Sequence, residues 1–330
     1  MTPTSTFAAP APRSARRPIL VLVDVEPDQR KTRTGEDPWA GTRFALGLLA
    51  ELRAALAGAT GRPAAINWFL RLDPQVRETW GSAERIADAC PELFRAIDEH
   101  GDPCGIHPHF WRFDRRRREW FNDFGDPHWI AECLEVSIAA YERLFGRPPA
   151  LCRCGDRWLD DGVVARLRAA GVRFDLTVEP GLPDAALHDD PHATGRLPDY
   201  RRAPRAPWQP SAADYLVPRA GEPDPDGLWM IPLSTSNPVW RLVRRPPYWM
   251  RASRSPNLVL DSGRTWPFLA RELSRSTRVP FVLALRSGDL AAPRFAAEAR
   301  RTAAALARHP ALAECQAVDP ERALAAFLGS

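Results

Sequence analysis

Residues 20–28 read LVLVDVEPD and residues 104–111 read CGIHPHFW. Each is a short apolar run that passes directly into polar residues, the pattern of a buried strand whose end opens onto a site. Alternate residues of an extended strand face one way, so Asp24, Glu26 and Asp28 project together, as do His107 and His109. Three carboxylates this close raise one another's pKa unless a cation compensates them. A divalent metal or a basic side chain such as Arg153 would do so. Imidazole with carboxylate is an ordinary ligand set for borderline metals. A plainer reading is open for two of these residues: Asp28 opens a turn after Pro27, and His109 is a packed, hydrogen-bonded histidine. Asp24 and His107 each end an apolar strand, where an unpaired polar group is costly.

Outward from these stretches, apolar segments alternate with amphipathic ones in the manner of repeated βα units. Strands are expected at 19–25, 64–72, 104–110, 150–154, 174–178, 228–233 and 279–285, with a small terminal strand at 314–318. Helices are expected within 42–57, 83–100, 127–145, 159–170, 265–274 and 291–308. The segment 179–226, rich in Pro, Arg and Asp, has no periodicity and reads as an insertion; loops of this length in compact domains tend to be functional or disordered. The expected fold is therefore α/β, a distorted (β/α) barrel with about seven parallel strands and a long insertion. In such folds sites gather at the carboxyl ends of the strands. There stand Asp24, Glu26, Asp28, His107, His109, Arg153, Asp156, Glu179, Arg286, Ser287 and Asp289.

The chain has 330 residues, 45 basic against 41 acidic, and 45% hydrophobic content. That is enough to bury a full core in residues 18–330 as one domain, with residues 1–17 as a flexible lead-in. A net charge of +4 is a weak bias toward nucleic acid, and the short basic runs Arg115–Arg118 and Arg241–Arg245 carry no recognition motif. No apolar run reaches membrane-spanning length, and the arginines near the start precede no apolar signal stretch. Six cysteines in a chain this long do not make a disulfide scaffold,. Cys152 and Cys154, two apart, share one strand face and read as reduced buried thiols, which points to a cytoplasmic protein. Twelve tryptophans are many. Trp111, Trp208, Trp229, Trp240 and Trp249 are candidates for stacking on a sugar, or for packing long loops onto the barrel. Arg201, Arg202 and Arg205 in the insertion would favour an anionic substrate.

VDVEPD, GIHPHFW and PPALCRCGDRWLDDGVVARLRAAGVRFDLTVEP resemble, in this order, the motifs of the polysaccharide deacetylase family, of the NodB-homology type. PWQPSAADY and GLWMIPLSTS resemble its substrate-loop and sixth-strand region, so that the resemblance spans about residues 18–290. It implies a distorted barrel that removes N- or O-acyl groups from sugars with one divalent transition metal, zinc foremost. It further implies Asp24 as general base, Glu26 or Asp28 as carboxylate ligand, His107 as metal ligand and Arg153 as the group orienting the base. The chain departs from the pattern twice. The family's second histidine falls at Trp111, so His109 would have to substitute for it. Where relatives end strand seven with a general-acid histidine, LALRSGDL places Arg286, which can stabilise an oxyanion but donates a proton poorly. Asp156, Glu179 and the tryptophans are expected on the substrate side, with a carbohydrate or small amide as partner. Two other readings remain open: a non-catalytic saccharide-binding relative, and a metal-free amidohydrolase or glycoside hydrolase on the same barrel.

Overall fold

Burial over all nine residues makes β1 (Arg17–Val25) the centre of the sheet. The computed structural model describes residues 16–33, 38–187, 190–235, 260, 266–275 and 277–329. In it the mouth-forming strands after β1 are β2 (Asn67–Leu70), β3 (Cys104–Ile106), β6 (Leu151–Cys152), β7 (Phe174–Asp175), β8 (Trp229–Met230) and β9 (Phe281–Arg286). All pair in parallel, in the order β9-β1-β2-β3-β6-β7-β8. The short β10 (Cys315–Ala317) lies beside the first residues of β1. The result is a distorted, incompletely closed barrel of seven strands about the mouth. Ser234, just past β8, bridges to β9: its N–H donates to the Val282 carbonyl at 3.0 Å and its hydroxyl accepts from the Val282 N–H at 2.9 Å.

Helices α1 (Ala40–Thr60), α4 (Pro91–His100), α5 (Pro127–Phe145), α6 (Asp161–Ala169), α7 (Trp266–Leu273) and α8 (Pro293–Ala307) occupy the expected stretches. The helix expected within 83–100 is broken, because Pro91 cannot continue α3 (Arg85–Ala89) and instead starts α4,. Two further helices, α2 (Pro74–Trp80) and α9 (Pro320–Leu328), each begin with Pro behind an Asp cap, a start signal that was present in the sequence and not used,.

The run Arg115–Arg118 is a hairpin turn. It joins β4 (Trp111–Asp114) to β5 (Glu119–Asn122) in antiparallel pairing, with Asp114 Oδ1 accepting from the N–H groups of Arg116 and Arg117. The insertion has no helix or ladder among its described residues, yet it packs closely. Trp208 exchanges both backbone hydrogen bonds with Met230, covering the edge of β8, and the hydroxyls of Tyr200 and Tyr215 donate to the carbonyls of Arg157 and Leu159,. Among the described residues no helix is long and apolar enough to cross a membrane. Residues 1–15, the run Arg241–Arg245, Trp240 and Trp249 lie outside the described residues.

Candidate metal centre

Inward-facing Leu20, Leu22, Leu151, Phe174, Val282 and Ala284 form a dry plug inside the barrel. On three of these strands the next inward position, two residues on, is polar: Asp24 on β1, Arg153 after β6 and Arg286 on β9,. Gly105 on β3 is required by this plug, since a Cβ there would collide with Leu151. Two residues beyond it comes His107. The polar layer thus sits directly on the apolar one, at the carboxyl end of the strands.

Three atoms converge there. Glu26 Oε1 lies 2.8 Å from His107 Nε2 and 3.1 Å from His109 Nε2, and the two Nε2 atoms are 3.1 Å apart. Both histidines are buried. The other nitrogen of each ring fixes its proton. His107 Nδ1 is 2.5 Å from the Arg153 carbonyl, which can only accept, so Nδ1 donates,. His109 Nδ1 faces Asp156 Oδ2 at 3.1 Å, and the Trp111 indole N–H lies 3.3 Å from the same nitrogen. With its Nδ1 donating, a neutral His107 turns an Nε2 lone pair toward the Glu26 carboxylate oxygen, and His109 Nε2 adjoins the same oxygen. Three electron-rich atoms in van der Waals contact call for a cation among them.

Where no metal is bound, the neighbouring charges favour a ring proton in its place. Burial pushes the Glu26 carboxyl up, but its hydrogen bonds to His107 and His109 and their charges outweigh it and hold the group well below the usual carboxylate range. Burial and Arg71 push the His109 imidazole down, while Asp156 and Glu26 outweigh them and raise it. Burial opposes ionisation of Asp156 as well, yet Arg30 and His109 hold it at about 2. Without a metal, a proton on His109 supplies the missing positive charge. A tetrahedral ion bound at about 2.0–2.1 Å needs ligand atoms about 3.3 Å apart, so the three donors fit one after opening by a few tenths of an ångström.

The chain spends conformational energy to hold this arrangement. A Cβ at Gly155 would collide with the His109 ring. Asp156 and Arg157 both adopt left-handed backbone, with φ of 50° and 52°. This costs of the order of 1–3 kcal/mol per residue. It turns the Asp156 carboxylate back to His109, where Arg30 pairs with its other oxygen. On the far side, the Ser287 hydroxyl accepts from the Glu26 N–H at 3.0 Å, tying the loop after β1 to the end of β9.

Beside the triad, Arg153 Nε donates to both oxygens of Asp24, at 2.8 and 3.1 Å, and its NH1 donates to the Leu176 carbonyl at 2.6 Å. Glu179 Oε1 stands 3.8 Å from Arg153 NH2. Burial works against the Arg153 charge, but Asp24 and Glu179 more than restore it. Asp24 Oδ1 lies 3.8 Å from His107 Nδ1, adjoining the triad.

Not every expected site residue joins this group. Both Asp28 oxygens accept from the first N–H groups of α1, from Ala40 and Gly41 at 2.9 Å each, which draws the carboxylate away from Glu26. Trp111 is buried behind His109 with the Arg30 guanidinium over its ring, 5.6 Å from the centroid. Trp229 belongs to the barrel plug, and Trp208 is buried with its indole N–H on the Tyr215 carbonyl. None of the three presents a face for stacking on a sugar. Arg286 is in register with Asp24 but is half exposed and paired with Asp289 Oδ2 at 2.7 Å. In the insertion, Arg201 pairs with Asp199, and Arg205 donates to the Thr235 carbonyl at 2.8 Å.

Sequence reasoning missed Arg71 and Asp73. Asp73 Oδ2 accepts from the His109 N–H at 3.1 Å and from Arg71 Nε at 2.9 Å, with all three residues buried. The signal was RLDP, a strand end followed by a helix-capping Asp.

No protein-family model matches the chain, and no curated protein matches it. Among solved structures it is similar to a probable polysaccharide deacetylase from Pseudomonas aeruginosa. That match has 12% identity and a TM-score of 0.51, covering 96% of this chain and 92% of the other. It is also similar to a protein from Parabacteroides distasonis assigned as a glycoside hydrolase/deacetylase, at 12% identity and a TM-score of 0.52, covering 92% of this chain and 70% of the other. At such identities the likeness is one of fold. The chain has a polysaccharide-deacetylase-like fold and carries at its mouth a cluster suited to a divalent metal.

Proposed function

We propose that the protein is a metal-dependent hydrolase that removes an acyl group, N-acetyl in the simplest case, from a sugar or a related amide. One observation carries this reading: Glu26, His107 and His109 converge through three donor atoms beside a buried Asp24–Arg153 pair, at the strand ends of a deacetylase-like fold. Glu26 Oε1 and the two Nε2 atoms would hold the ion, zinc by its donor set, and when bound it supplies a Lewis acid for the acyl carbonyl.

The chain's own residues do the rest. Asp24 takes the proton of the attacking water, oriented by the Arg153 Nε that spans both its oxygens. Arg153 in turn pairs with that carboxylate in its buried setting. Arg286 stays charged at working pH and donates hydrogen bonds to the developing oxyanion. The leaving amine recovers a proton from Asp24, which received one in the first step, with Glu179 as the neighbouring carboxyl. The dry plug below and the packed Trp111 beside the histidines keep bulk water from the inner side of the site.

The test is acetate release from a panel of N-acetylated amino sugars and their oligomers by zinc- and cobalt-loaded protein. The expected result is metal-dependent release that falls by about 10²–10⁴-fold in Asp24→Asn while the metal stays bound. Metal-loaded wild type that releases acyl groups from none of them, yet binds the sugars, would replace this reading with that of a saccharide-binding relative.

A further inference from the structure

Residues 152–154 present two faces. Arg153 points inward to Asp24, while Cys152 and Cys154 point outward into the layer between sheet and helices. Both cysteines are free and buried, and their sulfurs are 3.7 Å apart. The Asp175 carboxylate, from the outward face of the adjacent β7, completes a group whose ligand atoms all lie within 4.8 Å of one another. The other four cysteines belong to no such group among the described residues.

We propose that Cys152, Cys154 and Asp175 form a second metal site, suited to a thiophilic divalent cation such as zinc. A tetrahedral zinc with Zn–S bonds of about 2.3 Å sets its sulfurs about 3.8 Å apart, and the two sulfurs are already at that separation. Asp175 closes the third position by a short approach. Its carboxylate is oriented by Thr177, whose N–H and hydroxyl each donate to it at 2.9 Å, and the Thr177 oxygen accepts from the Cys154 N–H at 2.8 Å. A hydrogen-bonded ring around the ligands is the arrangement that tunes metal sites.

Charge also balances. Binding one divalent ion releases the two thiol protons to solvent, so two thiols become thiolates and the buried net charge is unchanged. The ion would clamp β6 to β7. Between the two cysteines, that clamp fixes Arg153, whose side chain holds Asp24 and whose carbonyl holds His107. Because all three ligands are buried, the ion would enter while the chain folds.

The experiment uses the full chain produced in cobalt-supplemented medium, as wild type and as His107→Ala, dialysed against chelator. Sulfur is absent from the Glu26–His107–His109 donors, so the near-ultraviolet absorption of thiolate-bound cobalt reports this second site alone. The expected result is that one cobalt per chain and that absorption survive dialysis in His107→Ala, and that the absorption is lost when Cys152→Ala and Cys154→Ala are combined. The proposal is overturned if cobalt-grown wild type and His107→Ala show no thiolate absorption, or if the absorption persists in the combined cysteine variant. Should that variant fail to fold, the wild-type spectrum decides by its presence or absence. A cobalt spectrum of nitrogen and oxygen ligands alone would sink this site and leave the mouth site standing.

Discussion

The two sides of the barrel mouth are built differently. On the side of β1, β3 and β6, polar groups are held by partners far away in sequence: Glu26 by His107 and His109, Asp24 by Arg153, His109 by Asp156 and Asp73. On the side of β9, the described partner of Arg286 is Asp289, three residues along the same loop. Contacts between distant segments form only with the fold, and in a buried setting they hold one geometry. A half-exposed local pair can exchange partners at little cost. The first side is held by buried contacts between distant segments, whereas Arg286 on the second is half exposed beside Asp289.

Removing one partner should expose this contrast. Arg153→Ala leaves Asp24 and Glu179 without their cation in a buried site, and denaturant unfolding should show a loss of about 3–5 kcal/mol. A loss under 1 kcal/mol would mean that the inner side is no more rigid than the outer. Next comes Asp156→Ala, which removes the carboxylate orienting His109; competition with a chelating dye should record metal affinity weakened by about 10–100-fold. The Asp28→Ala change separates cap from ligand. It should cost about 1 kcal/mol in thermal unfolding, as loss of the α1 N-terminal acceptor does, with metal stoichiometry intact. Metal lost in Asp28→Ala would return that residue to the ligand set. The smallest effect on stability is expected from Arg286→Ala, within about 0.5 kcal/mol, so any fall in its turnover is a loss of substrate or oxyanion contact and not of fold.

The parts of this molecule legible in the sequence are those that depend on strand periodicity. Alternation put Asp24 in phase with Glu26, His107 with His109, and Cys152 with Cys154 on one face, while strand order is not written in a single sequence. Periodicity does not say which carboxylate is drawn off by something else. Asp28 is in phase with Glu26, but the unsatisfied N–H groups at the start of α1 claim it, and that is a tertiary event. Tryptophan function was equally hidden, because aromatic rings that cover a sugar and rings that fill a core have the same composition. Trp111, Trp208 and Trp229 all fill. The hairpin at Arg115–Arg118 was obscured by charge, since four arginines read as a patch until the short alternating strands on either side are seen to pair. Arg71 and Asp73 went unread because RLDP marks a helix cap but not that the Asp73 carboxylate, paired with Arg71, also holds the His109 N–H.

The central claim is that Glu26, His107 and His109 share an ion. Anomalous diffraction from crystals of zinc-loaded protein, recorded on both sides of the zinc absorption edge, tests it most directly. The account predicts an edge-dependent peak about 2.0–2.1 Å from Glu26 Oε1, His107 Nε2 and His109 Nε2. No peak there, with Glu26 still hydrogen-bonded to both rings in a structure from zinc-saturated protein, would contradict it.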